Sequence, residues 1–247
     1  MTIHESLDDA GIYELVMDNP KVNALNIADA YLLARLLDAV KYRPEIKAVI
    51  LTAQGKGFCA GVNIKEMQAL PGNDGIIDAN DSCWELFRAV YECAVPVIAS
   101  VNDFCLGTGI GIVGNADVVV AADTATFGLP EVDNGALGAG THLKRLVPQH
   151  KARQMMYMCE VATAAELYAH GSIYKVVPLA DLAGCAREVA RVIASKNGVV
   201  IRKAKRAFNS IDDDPTKSYR TEQGFTFELN LRGEGDKARD AFLRGER

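Results

Sequence analysis

The chain has 247 residues, 49% hydrophobic and 24% charged, with a formal net charge of −5. These proportions exclude disorder, collagen and coiled coil as whole-chain descriptions, and the acidic balance argues against a dominant nucleic-acid role. No apolar run reaches the roughly 18 residues of a membrane span, and the acidic N-terminus MTIHESLDDAGIYELVMD lacks the basic and apolar regions of a signal peptide.

Residues 11–18 (GIYELVMD) alternate β-formers and read as a strand ending at the turn signal Asn19-Pro20. Residues 26–42 carry Ile27, Tyr31, Leu32, Leu36, Leu37 and Val40 at helical spacing, with Asn26 as N-cap. The run 47–53 (KAVILTA) is a buried strand, 54–62 (QGKGFCAGV) a glycine-rich loop, and 63–70 a short helix broken by Pro71-Gly72. A second amphipathic helix spans 75–93. A buried strand follows at 96–101 (PVIASV), then the turn 102–109 (NDFCLGTG) and a buried helix at 109–115. Residues 116–122 (ADVVVAA) form another strand, and the glycine-rich 126–140 reads as loop. Beyond it, helices are predicted at 141–158, 163–170, 180–195, 198–210 and 216–243, with a short strand at 172–177 and a break at Gly233-Glu234-Gly235. The alternation of strand and helix followed by a helical tail predicts an α/β core with helices added at its C-terminus. Few apolar residues stand at 211–221, so this part of the tail is expected to pack on a neighbouring subunit.

The six cysteines (Cys59, Cys83, Cys93, Cys105, Cys159, Cys185) are scattered without a CxxC pair. They read as reduced, mostly buried hydrophobes, which suits the cytoplasm. His4, His150 and His170 have no metal-binding spacing, and no zinc pattern, Walker loop or G-x-S-x-G stands in the chain.

Two glycine-rich turns follow buried strands: Phe58-Cys59-Ala60-Gly61-Val62-Asn63 and Leu106-Gly107-Thr108-Gly109. Such turns collect at the carboxyl edge of a sheet, where ligands bind. Both expose backbone N–H groups, and two convergent donors are what an oxyanion hole requires. The alternative is that these glycines serve close packing alone. Gly109-Ile110-Gly111-Ile112-Val113-Gly114 has the G-x-G-x-x-G spacing of a dinucleotide site. The next strand ends too soon, at Asp123, to supply the acidic residue such a site needs. Gly111 and Gly114 are then read as letting a buried helix approach its neighbours.

Glu131 sits in Phe127-Gly128-Leu129-Pro130-Glu131-Val132, flanked by apolar residues. Burial there would disfavour its charged form, raise its pKa and suit it to acid–base work. An exposed loop glutamate is the competing reading. His142 is a candidate for polar contact with a substrate, or a structural histidine.

These same segments carry a resemblance. KGFCAGVNIKEM (56–67), PVIASVNDFCLGTG (96–109) and TFGLPE (126–131) resemble three sequence blocks of the crotonase (enoyl-CoA hydratase/isomerase) superfamily, in register. The resemblance implies an α/β fold with a ββα spiral core over 1–195 and a C-terminal helical trimerisation region over 196–247, assembled as a trimer or hexamer. It implies an acyl-CoA substrate, with no nucleic acid, membrane, metal or further cofactor involved. The thioester carbonyl would lie between the N–H groups of Val62 and Thr108. Lys56, Ala60, Gly61, Val62 and Ile64 would contact the CoA portion.

Two-glutamate hydratases of the family have one carboxylate where Glu131 stands and another where this chain has Gly111. The glycine is expected to leave room for a bulky acyl group and to weaken simple hydration. VNIKEMQ, DANDSCWELFRAVYECAVPVIA, FGLPEVDNGALGAGTHLKRLVPQH and YRTEQGFTFELNL resemble the actinobacterial steroid-degradation branch. That branch includes a hydrolase that opens the five-membered ketone ring of a bicyclic indene-carboxyl-CoA. The first expectation is therefore ring-opening hydrolysis, with Glu131 as base and His142 polarising or positioning the ketone. The alternatives are an enoyl-CoA hydratase or isomerase of fatty-acid or sterol side-chain degradation, and an inactive CoA- or RNA-binding scaffold.

Overall fold

In the computed structural model, which describes residues 2–19 and 21–246, the apolar runs of the sequence become the inner strands of one sheet. The strands are β1 (Thr2–Leu7), β2 (Ile12–Asp18), β3 (Ala48–Ala53), β4 (Val97–Val101), β5 (Cys105–Leu106), β6 (Val118–Ala122), β7 (Thr126–Gly128), β8 (Val161–Thr163) and β9 (Lys175–Val177). The helices are α1 (Ile27–Ala39), α2 (Ile64–Ala69), α3 (Asp74–Glu92), α4 (Thr108–Val113), α5 (Gly140–Leu143), α6 (Gln149–Met158), α7 (Ala164–Ala169), α8 (Leu182–Ala194), α9 (Gly198–Ile211), α10 (Pro215–Leu231) and α11 (Glu234–Leu243).

The large sheet has the order β1-β2-β3-β4-β6-β9, parallel except for the β1–β2 pair. All five residues of β4 are buried, as a parallel strand covered on both faces must be. Helix α8 lies across β2, β3, β4 and β6 on one side. After β3, β4 and β6 the chain turns into a short extended stretch before its next helix. These stretches pair side by side: Cys59 bridges Cys105, and Cys105 pairs with Phe127 of β7. This is the repeated ββα unit expected from the resemblance. No helix among the described residues is long and apolar enough to cross a membrane.

Several boundaries differ from the sequence reading for physical reasons. β1 was not foreseen, because its polar alternation belongs to an edge strand. The short β5, β7 and β8 lie inside segments read as loop or helix. The helix predicted at 141–158 divides into α5 and α6, with Pro148 as the N-cap of the second. The break at Gly233 is present, with φ +75°. The turn at Asn19-Pro20 falls partly outside the described residues.

Asn26 does precede α1, but its side chain caps no helix N–H. It accepts instead from Asn63 Nδ2 at 2.8 Å, while Glu66 Oε2 accepts from Ile27 N at 2.9 Å. The first turn of α1 is thus capped by α2, across the fold.

The tail also needs correction: it packs on its own core. In α9, Lys205 is 5% exposed and its ammonium meets both Asp117 carboxylate oxygens at 2.7 Å. Arg202 of the same helix donates to the carbonyls of Val40, Arg43 and Ile46. Helix α10 lies against α3 and α5, and its Tyr219 joins the main hydrophobic core. The polar look of 211–221 reflects one exposed helix face, while Tyr219 and Gln223 turn inward.

Candidate active site

The two glycine turns are laced together. Phe58 N donates to Phe104 O at 2.9 Å, and Leu106 N donates to Cys59 O at 2.8 Å. Gly61 and Gly107 have φ of +98° and +55°, a region that side chains enter only with strain. A Cβ built on Gly61 would stand 3.9 Å from the Thr108 nitrogen, and one built on Gly107 would stand 3.3 Å from the Gly61 Cα. The structure therefore brings Val62 and Thr108 to one place.

Their N–H groups are free to serve a ligand. Leu25 bridges Val62 by bonds from Leu25 N to Gly61 O and from Asn63 N to Leu25 O. Strand alternation turns the Val62 N–H to the other side. Thr108 opens α4, so its N–H belongs to the first turn, where no intrahelical acceptor exists. Among the described residues, neither N–H has a hydrogen-bonded acceptor.

The third component arrives from β7. Gly107 N donates to Gly128 O at 3.2 Å, which places the segment after β7 beside the second turn. The carbonyl of Glu131 accepts from Asn134 N and Ala136 N and closes a tight turn. The Glu131 carboxylate faces inward, with Oε2 buried and lacking any hydrogen-bond partner. Burial, assisted by the charge of Glu222, raises its pKa to about 8. A carboxyl with its pKa raised to about 8, lining the same cavity as Val62 and Thr108, can exchange a proton with a molecule bound there.

Glu131, Thr108, Val62, Phe87, Cys83 and Tyr219 share one cavity of about 90 Å³. Burial raises the Cys83 thiol to about 11, so it stays protonated. Ala60, Val62 and Ile64 are half-buried along the first turn and its helix, and Lys56 is exposed beside them.

His142 stands elsewhere. It is 1% exposed and does not line this cavity. Phe87 and Tyr219 lie against it, with ring centroids at 4.8 and 5.1 Å. Burial lowers its pKa to about 3, so the imidazole is neutral. Nδ1 lies 3.2 Å from Asn115 Nδ2, whereas Nε2 is buried without a partner.

The room expected at Gly111 is filled. A Cβ there would collide with the Phe87 ring, and a Cβ on Gly114 would stand 2.6 Å from His142 O. A Cβ on Gly109 would meet Cys105 Sγ at 2.9 Å. All three glycines of the G-x-G-x-x-G string serve packing.

Three contributors escaped the sequence reading. Phe87 looked like any core position of an amphipathic helix, and Tyr219 lay in the tail. Glu222 gave no sequence signal, yet it accepts from Gly140 N, Thr141 N and Thr141 Oγ1 at 2.9–3.1 Å. It fixes the loop behind Ala139, whose φ of +58° is unusual for a residue with a side chain.

The sequence profile described as enoyl-CoA hydratase/isomerase matches residues 8–242, and the chain belongs to that family. A Rhodococcus jostii protein is 53% identical over 245 residues, covering 98% of this chain and 95% of the relative. It is named (7aS)-7a-methyl-1,5-dioxo-2,3,5,6,7,7a-hexahydro-1H-indene-carboxyl-CoA hydrolase. A Mycobacterium tuberculosis protein of the same name is 52% identical over 245 residues, covering 99% of each chain. The crystal structure of an enoyl-CoA hydratase/isomerase from Xanthobacter autotrophicus Py2 superposes with a TM-score of 0.88 at 24% identity, covering 98% of this chain and 91% of that one. That likeness shows the fold.

Proposed function

We propose that the protein is a CoA-thioester hydrolase that opens a ketone ring of a bicyclic indene-carboxyl-CoA. The observation that carries this reading is the Glu131 carboxylate, whose Oε2 is buried without a partner and whose Oε1 stands over Gly107, beside the Gly61 turn. The shared name of the two relatives supports the acyl group.

In this reading the thioester oxygen sits between Val62 N–H and Thr108 N–H, and the CoA portion runs along Lys56, Ala60, Gly61, Val62 and Ile64. Glu131, ionised, takes a proton from water as the water oxygen bonds to the ring-ketone carbon. The adduct collapses, and the bond between that carbon and its ring neighbour breaks. Its electron pair enters an enolate conjugated to the thioester, where the two N–H groups hold the negative charge. Protonated Glu131 returns the proton to carbon. The product is one water heavier, with one ring fewer and a new carboxylate. Atoms and electrons balance without a redox cofactor or metal. His142 acts from behind the cavity, by supporting its wall.

Exposed apolar side chains on α9 (Val199, Val200, Phe208 and Ile211) support assembly as a trimer or hexamer, which light scattering tests.

The test of function is product analysis on a bicyclic ketone-bearing CoA ester, with Glu131→Gln alongside. Ring opening with a new carboxylate is expected. The variant should retain ester binding and lose about 10²–10⁴-fold in turnover. Crotonyl-CoA hydration at about 10⁶ M⁻¹s⁻¹ or more, a rate typical of efficient enzymes, would restore the hydratase reading.

A further inference from the structure

We propose that Phe87 and Tyr219 form an aromatic seat for a ring-shaped acyl group, and that this seat sets a preference for cyclic over linear acyl thioesters. The proposal rests on the acyl-CoA reading above and adds to it the residues that select the acyl group. Both rings line the cavity that holds Glu131. Their centroids lie 5.0 Å apart and their planes meet at 49°, so together they make a bent, rigid wall. Phe87 comes from α3 and Tyr219 from α10, so the wall is complete only when the tail is docked on the core.

The wall is braced from behind. Gly111 in α4 and Gly114 at its C-terminal end are one turn apart and open a groove on that face. The Phe87 ring occupies the space above Gly111, and the backbone of His142 packs against Gly114. The imidazole meets Phe87 edge-on, with an interplanar angle of 78°. Asn115 reaches both parts, donating to Gly111 O at 2.8 Å and standing 3.2 Å from His142 Nδ1. Phe87 is 2% exposed and Tyr219 4%. With His142 on one side and the Gly111 backbone on another, the Phe87 ring has no space to turn away from the cavity, and His142 also backs the Tyr219 ring.

A wall of this kind discriminates by shape. Two stiff rings lose little rotamer freedom when a ligand packs on them. A flat, conjugated ring can pack against the edges that both rings present to the cavity, and many weak dispersion contacts sum. A short linear acyl group touches only part of the wall and is held loosely relative to Glu131, which forfeits orientation. This contact uses the ring of Tyr219 and not its hydroxyl.

The experiment compares kcat/KM for a bicyclic ketone-bearing CoA ester and for crotonyl-CoA on wild type, Phe87→Leu, Tyr219→Leu and Tyr219→Phe. Free CoA affinity, measured by calorimetry, reports that each variant is folded. The ratio of the two values is expected to fall at least tenfold in both leucine variants and to stay within threefold in Tyr219→Phe. If both leucine variants keep the wild-type ratio, the seat is overturned. It is equally overturned if Tyr219→Phe loses as much as Tyr219→Leu, which assigns the effect to the hydroxyl. Should Phe87→Leu fail to fold, the Tyr219 pair decides alone. A wild-type enzyme that turns over no bicyclic ester overturns both the seat and the proposed function. Unchanged ratios on an active enzyme overturn the seat only.

Discussion

The Glu131 carboxylate stands over Gly107 so closely that a Cβ on that glycine would lie 2.5 Å from Oε1. Position 107 must therefore be glycine twice over, for its φ of +55° and for the carboxylate above it. Gly107→Val is expected to displace Glu131 and the Thr108 N–H together. Loss of one oxyanion donor alone costs about 10²–10³-fold in kcat, so at least that loss should appear in steady-state assays. A Gly107→Val enzyme of normal rate would show that this turn takes no part in the chemistry.

Glu131 makes the fold pH-sensitive. Its folded pKa is raised to about 8, whereas an unfolded glutamate titrates at about 4.3. Between those values the folded state keeps a proton that the unfolded state has lost. The group therefore destabilises the fold increasingly as pH rises, by up to about 1.4 kcal/mol per pH unit. The effect is absent below the unfolded value and complete above the folded one. Glu131→Gln should be more stable than wild type at pH 8 and closely matched at pH 4. Urea midpoints at both pH values check this, and an equal difference at the two contradicts it.

Glu222 reaches the site without touching it. Its charge raises the pKa of Glu131, so Glu222→Gln should move the ascending limb of the pH–rate profile to lower pH. The same change weakens the bonds to Gly140 N, Thr141 N and Thr141 Oγ1. Hydrogen bonds to charged groups are worth about 1.5–3 kcal/mol, and a loss of that order should show in thermal unfolding. A limb that stays in place or moves up would rule out the electrostatic part.

Gly111→Ala should cost about 1–3 kcal/mol through overpacking against Phe87. Gly111→Glu adds a charge with no space to occupy, and soluble folded protein is not expected. Melting temperatures and soluble yield report both variants. A well-folded Gly111→Glu with a wild-type melting temperature would mean that Phe87 yields readily.

The central fold was legible wherever burial forced a pattern. β3, β4 and β6 are apolar because both their faces are covered, and the glycines beside them are dictated by turns. β1 and the two- and three-residue strands carried no such signature, since edge position and backbone pairing leave little trace in side chains. Glu131 was found because its segment joined apolar neighbours to a charge. Phe87, Tyr219 and Glu222 were not, because each acts through contacts between elements far apart in sequence. The emptiness inferred at Gly111 failed for that same reason: a missing side chain locally says nothing about what a distant helix places there.

The position of α10 bears on when the protein becomes functional during its synthesis. Glu131 and both glycine turns leave the ribosome well before Tyr219, and chains fold from the N-terminus as they emerge. A nascent chain halted before α10 would carry Glu131 and the two glycine turns, with Phe87 lacking the ring it leans on and residues 140 and 141 lacking Glu222. Glu222 leaves the ribosome in the same helix as Tyr219, so the bonds that hold residues 140 and 141 and the second ring of the wall arrive together, in the last stretch of translation.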